Sequence, residues 1–384
     1  MKKLKALAAY VYAGGFSLGV KPYIPVIAHL EDAKPYGKEV IDLNREMYWH
    51  DLPIYPFGNW PDLEADLFFS NPPCAPFSNA NTGSFRGGWR GDERLVCWDN
   101  VINYIVKNRP KIAAVETTAQ CYSKAPDFLA EKAYQLNRIG YHVTIFLNNA
   151  CFFGSAQNRP RVLLIASPYK LHMLHYLSFP STTVGELFTD YGPDLKEVKN
   201  LDYFFKDIPK LRTLIAEALP GERLAKTFNR LNPNPEYNSK GQVKGRPTFG
   251  MLKLNPKGLS CVLVGYLLVH PFLKRLLSLK EYQLLGDFPL DYIFPSHIRT
   301  TSYVARGVST KVGNWLGKMA TLTLETPRLV TQMGVTIHQG IKGYDLLKEY
   351  NIKGGTAEEM AQQFPKLSLR TPFYEECIQQ EETF

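Results

Sequence analysis

One cysteine follows directly on a stiffened turn. The run Asp66-Leu-Phe-Phe-Ser-Asn-Pro-Pro-Cys-Ala-Pro-Phe-Ser78 reads as a short buried strand that empties into two prolines, with Cys74 immediately after them. Proline locks φ, so the backbone leading to Cys74 has little freedom. A thiol presented in that way is placed to act as a nucleophile, adding to an electron-poor carbon and leaving again. Two other sites carry potential chemistry. Gly14-Gly15 forms a turn after an apolar run, where a ligand can approach the backbone closely. Arg159 and Arg161 flank Pro160 at the entry to another apolar run, where guanidinium forks can hold an anion or a carbonyl oxygen.

These residues need a frame. Short, nearly continuous apolar runs at Ala6 to Val11, Pro25 to Leu30, Asp66 to Ser70, Ile112 to Val115, His142 to Leu147 and Val162 to Ala166 read as buried strands. Between them, Trp98, Val101, Ile102 and Ile105 recur at helical spacing. So do Leu129, Ala133 and Leu136 after Pro126, with Gly140 available to stop that helix. Parallel strands joined by helical crossovers make a doubly wound, Rossmann-like α/β domain, in which ligands gather at the carboxyl ends of the strands.

From about Ser167 the alternation breaks. Lys210 to Lys257 holds ten Lys or Arg against three Glu, and Asn232 to Gln242 is turn-rich. The segment Thr331 to Phe384 turns acidic, with eight Asp or Glu against five Lys or Arg. The formal charge of +9 suits a polyanionic partner, because phosphate contacts release counterions. The six cysteines are widely spaced without a C-x-x-C pair, which argues against a disulfide framework or a structural metal. No apolar run approaches the roughly 20 residues needed to span a bilayer, so a cytoplasmic protein is expected.

Pro72-Pro73-Cys74-x-x-Phe77-Ser78 resembles the catalytic loop of the C5-cytosine-specific DNA methyltransferases, and further blocks of that family recur in the same order. Tyr12-Ala13-Gly14-Gly15-Phe16-Ser17-Leu18-Gly19 is similar to its glycine-rich turn. His29-Leu30-Glu31-Asp32 is similar to its second block, and Asp51 stands roughly where the family has an acid that contacts adenine. Glu116 matches the first residue of its Glu-Asn-Val block. Gln157-Asn158-Arg159-Pro160-Arg161 matches its Gln-x-Arg-x-Arg block. His270-Pro271, Arg275 to Glu281, Phe288-Pro289 and Gly313-Asn314 resemble the last two blocks.

The resemblance implies a Rossmann-like methyltransferase domain that uses S-adenosylmethionine, with a smaller irregular target-recognition domain. It places the catalytic domain at residues 1–167 plus 297–330, the recognition domain at 168–296 and an acidic extension at 331–384. Cys74 would add to C6 of a cytosine flipped out of duplex DNA, Glu116 would donate a proton at N3, and Arg161 with Arg159 would hold O2 and the loop. Ala13, Gly14, Gly15, Phe16, Ser17, Leu18, Pro72, Asn314, Asp51 and either Glu31 or Asp32 would bind the cofactor. Ser78, Arg86, Arg90, Gln157, Lys240, Lys244 and Arg246 would contact double-stranded DNA, and the enzyme would act as a monomer without a metal. Three departures stand out: Ala8 replaces a usual Asp, Tyr12 a common glycine, and Thr117-Thr118 the Asn-Val pair. They leave open a relative that transfers a modified sulfonium substituent to a pyrimidine C5, or an inactive DNA-binding relative.

Overall fold

Strands apolar along their whole length must be covered on both faces, and that requirement organises this chain. The computed structural model describes residues 3–32, 37–78, 88–173, 182–191, 211–239, 241, 243, 251–263, 268–295, 300–331 and 334–339. The strands are β1 (Ala6–Ala9), β2 (Val26–Glu31), β3 (Ile54–Pro56), β4 (Leu67–Ser70), β5 (Ile112–Thr118), β6 (His142–Asn149), β7 (Pro160–Ser167), β8 (Leu252–Lys253), β9 (Leu268–Val269) and β10 (Val335–Gln339). Eight of them form one sheet in the order β10-β6-β7-β5-β4-β1-β2-β3, and β8 pairs with β9 separately.

The helices on the first half are α1 (Gly15–Val20), α2 (Lys38–Leu43), α3 (Arg45–Tyr48), α4 (Val96–Asn108), α5 (Ala119–Lys124) and α6 (Pro126–Asn137). The remainder are α7 (Val184–Tyr191), α8 (Leu211–Glu217), α9 (Leu224–Leu231), α10 (Leu279–Leu285), α11 (Thr300–Arg306) and α12 (Thr310–Glu325). Alternate strand residues divide between two cores. Leu7, Phe68, Ala113 and Val115 face Trp98, Val101, Ile102 and Ile105 of α4 and Leu129, Ala133 and Leu136 of α6. Ala6, Ala8, Leu67, Phe69, Ile112 and Ala114 face Phe16 and Val20 of α1 and Val312, Trp315, Leu316 and Met319 of α12. The helical spacings read from the sequence thus become buried faces.

Two features differ from the expected run of parallel strands. The strand β7 is antiparallel to both β5 and β6. Residues 150–159 are too few for the crossover of about a dozen or more that a parallel return needs. The sheet also gains two edges that periodicity did not reveal, β3 beside β2 and β10 beside β6. Each is short, which weakens an alternation signal. Because β10 begins at Val335, the acidic extension starts as a strand of the main sheet.

Residues from 168–296 are not isolated from this sheet. Ala13, Ile41 and Trp49 share a core with Leu254, Leu268, Tyr282, Leu285 and Tyr292. The entry to α10 carries a capping box, in which Ser278 and Glu281 exchange side-chain and backbone hydrogen bonds. Glu281 also takes both terminal nitrogens of Arg275, at 2.8 and 2.7 Å. Hydrogen bonds from Arg275, His270 and the Ser278 backbone outweigh burial and hold its carboxyl near a pKa of about 2.

Candidate active site

The carboxyl ends of β1, β2, β4 and β5 lie side by side; the glycine turn follows β1, Cys74 follows β4, and Glu116 lies near the end of β5. Cys74 follows β4 and precedes a single 3-10 turn, Ala75–Phe77, closed by Phe77 N donating to Cys74 O at 3.1 Å. Phe77 anchors the turn, fully buried against Phe128 at 5.2 Å between ring centroids and Trp98 at 6.3 Å. The thiol itself is partly exposed.

Register sets the partners. Ser70 pairs with Val115, so the next residues along the two strands, Asn71 and Glu116, are neighbours. On the other side, Glu116 pairs with Leu163 and Thr118 with Arg161. Arg161 therefore shares a face with Glu116 and reaches it diagonally. Its Nε lies 3.0 Å from Glu116 Oε1, while the Asn71 amide donates to Oε2. Glu116 is 1% exposed.

Arg159 is buried as well. Its Nη1 donates to Ala305 O at 2.9 Å, and its backbone N–H donates to Asn149 Oδ1 at 2.7 Å. Burial and the adjacent Arg161 charge lower its affinity for a proton, against the opposing influence of Glu116 and Cys74. These influences place thiol, carboxylate and two guanidiniums within one electrostatic environment. Gln157 is buried, and its amide donates to Leu285 O at 2.9 Å, so it braces the loop from within.

The glycine turn occupies the adjoining strand end. Gly14 holds φ +86°, and a Cβ there would lie 2.7 Å from Ile41 Cδ1 and 2.9 Å from Trp49 Cζ2. Tyr12 holds φ +52°, the left-handed region that favours glycine, so the backbone keeps a glycine-like course with a tyrosine in it. Burial raises the Tyr12 phenol, and the charges of Cys74 and Glu31 add to the effect. Glu31 accepts from Val11 N at 2.9 Å, and burial pushes its carboxyl up to about 8. Asp32, half-buried and also raised by burial, is reached by Cys97 Sγ at 3.9 Å.

Several expected cofactor contacts have their side chains committed elsewhere. Phe16 lies in the core against Phe69 at 4.8 Å, and Ser17 Oγ is 2.9 Å from His29 Nε2. Asp51 stands on an exposed turn, its side chain 87% exposed and 2.6 Å from His50 Nδ1. The Asn314 side chain is exposed, while its backbone N–H lies close to Gly19. Ala13 and Pro72 are buried and Leu18 is partly so. Ser78 is partly exposed, and Arg90 is exposed over the Trp89 ring and paired with Asp127. Arg86, Lys240, Lys244 and Arg246 lie outside the described residues.

Asn71, Asn149 and Tyr292 entered the site only through tertiary structure. Asn71 had one available signal, its place between a strand and Pro72-Pro73. Among the described residues no group of three or more His, Cys, Asp or Glu could hold a metal ion, and no helix is long and apolar enough to cross a membrane.

A mixed sheet covered on both faces, with a glycine turn after its first strand and acids after its second, defines a Rossmann-like domain of the S-adenosylmethionine-dependent methyltransferase type. The chain belongs to the C-5 cytosine-specific DNA methylase family, whose model matches residues 7–314. It is similar to the Type II methyltransferase M.HgiCII of Herpetosiphon aurantiacus, 25% identical over 249 residues, which covers 62% of this chain and 52% of that protein. It is 30% identical over 168 residues to the Type II methyltransferase M.AplI of Arthrospira platensis, covering 43% and 46%. The chain spans about half the length of the curated relatives it matches. The fold is shared with the Entamoeba histolytica methyltransferase EhMeth, at a TM-score of 0.57 and 13% identity, over 84% of this chain and 99% of that one.

Proposed function

We propose that this chain transfers a methyl group to C5 of a cytosine flipped out of duplex DNA, through a transient bond between Cys74 and C6. The observation that carries the reading is the Glu116–Arg161 pair, 3.0 Å apart, at the end of the strand next to the one that leads to Cys74. S-adenosylmethionine, when bound, supplies an electrophilic methyl on a sulfonium. The chain's donor set fits it: the turn at Ala13 to Gly15 lies beside Glu31 and Asp32, whose carboxyl groups can accept hydrogen bonds from ribose hydroxyls.

Cytosine C5 is a weak nucleophile until electron density enters the ring. The Cys74 thiolate adds at C6, and the charge that develops is met by a proton given from Glu116 to N3. Arg161 holds the carboxylate, and with Arg159 forms the positive wall toward O2. C5 of the resulting enamine would then take the methyl group, the electrons of the broken methyl–sulfur bond staying on the donor sulfur as a neutral thioether. Loss of the C5 proton to a solvent base would restore the ring as the Cys74 sulfur leaves with its electron pair, and N3 would return its proton to Glu116. Stacking shields C5 and C6 in a duplex, so the base must leave the helix at a cost of a few kcal/mol. The excess of Lys and Arg between 210 and 257 would position the phosphates, and base edges would be read in the major groove.

Mixed-sequence duplex DNA containing 5-fluorocytosine tests this reading, because fluorine cannot leave as the C5 proton does. Incubation with S-adenosylmethionine should yield a covalent complex whose intact mass includes protein, DNA and one methyl, and Cys74→Ser should yield none. Tight DNA binding without any adduct would reject the covalent mechanism.

A further inference from the structure

We propose that Asn71 is a positioning residue for Glu116, fixing the plane of the carboxylate that meets the base. This inference rests on the reading above, in which Glu116 serves the cytosine ring. The last torsion of a glutamate is broad, so a carboxylate held at one oxygen can still turn. Glu116 is 1% exposed and has little water to orient it. Arg161 stands at Oε1, 3.0 Å away, and the Asn71 amide donates to Oε2. The Arg161 charge draws Oε1 toward it without a hydrogen bond, and the Asn71 amide supplies the directional anchor at Oε2, so the two together oppose rotation.

Asn71 is itself well held. It is 4% exposed, its backbone N–H donates to Ala9 O at 3.1 Å, and the proline after it restricts its backbone. The two residues that follow Glu116 supply no such anchor. Thr118 Oγ1 is engaged with Gln120, and Thr117 Oγ1 is buried without a hydrogen-bond partner among the described residues. The amide comes instead from the neighbouring strand end, where register makes Asn71 and Glu116 adjacent. The charged or titratable groups around the carboxylate are Arg161 and Arg159 from the β7 side and Cys74 from the loop after β4.

The test measures the rate of adduct formation by the full chain on 5-fluorocytosine DNA, alongside DNA affinity and thermal midpoint. Asn71→Ala should slow the step about 10- to 100-fold, the range seen when an outer-shell partner of a metal ligand is lost. DNA affinity should hold. Asn71→Ser, which keeps a donor, should recover part of the rate. Asn71→Asp, nearly isosteric but anionic beside Glu116, should fall below Asn71→Ala. In a Glu116→Gln background Asn71→Ala should add no further loss. An undiminished rate in Asn71→Ala, or equal rates for the Asp and Ala variants, would overturn the inference alone if Glu116→Gln is slowed. Adduct formation at the wild-type rate by Glu116→Gln would remove the Glu116 reading and this inference with it.

Discussion

The Tyr292 hydroxyl donates to Ala13 O at 2.7 Å and accepts from Trp49 Nε1 at 3.0 Å, joining residues 279 positions apart. The phenol ties the glycine turn to the chain that precedes α11, so the two sequence regions share one site wall. Tyr292→Phe would leave the Ala13 carbonyl and the Trp49 N–H without this partner, at about 1–3 kcal/mol. Weaker binding of S-adenosylmethionine in calorimetry, together with a lowered thermal midpoint, is expected. Unchanged affinity would show that the turn is held adequately by its own backbone.

Arg161 is the charged partner of a buried carboxylate. Arg161→Ala leaves Glu116 uncompensated, and breaking a buried pair from one side costs about 3–5 kcal/mol. Urea unfolding should show that loss, and adduct formation on 5-fluorocytosine DNA should fall with it. Arg161→Lys keeps the charge without the planar fork and should recover stability better than rate.

At Gly19 the helices α1 and α12 approach too closely for a side chain. A Cβ there would lie 2.0 Å from Thr310 O and 2.6 Å from Asn314 N, both backbone atoms. Gly19→Ala should cost at least the 1–3 kcal/mol typical of overpacking, an order-of-magnitude figure. Gly91→Ala, where nothing lies within 4 Å, is the control whose thermal midpoint should barely move. Equal midpoints for the two variants would contradict the close approach.

Glu31 makes stability depend on pH in a stated direction. Burial raises its carboxyl from 4.5 to about 8, so across that window the folded chain keeps a proton that the unfolded chain has released. Its contribution is full at low pH and is lost as pH rises toward 8. Glu31→Gln, which can still accept from Val11 N, should remove that decline, seen as a flatter thermal midpoint between pH 6.5 and 8. The acid side should keep its own slope. His29, lowered to about 3 by burial, costs stability as pH falls from 6.5. An identical pH profile for the variant would assign the decline to other groups.

Much of the site could be read before the fold. Pro72-Pro73-Cys74, Glu116 after an apolar strand and the Arg159-Arg161 pair are local patterns, because proline geometry, strand hydrophobicity and short spacing are properties of neighbouring residues. The six strands and the faces of α4 and α6 were legible for the same reason, since burial on both sides imposes a continuous or periodic apolar signal.

What neighbouring residues cannot encode is which strand lies beside which. The sequence alone nominated the candidate reactive groups, the doubly wound α/β plan and the family resemblance. Tertiary structure decided that β7 runs antiparallel, that β10 joins the sheet from the acidic extension, and that Asn71 faces Glu116 across two strand ends. It also brought Tyr292 to Ala13. Those relationships follow from strand order and register, which arise when separated segments bury their apolar faces together, and a contact between distant residues leaves no local mark on either.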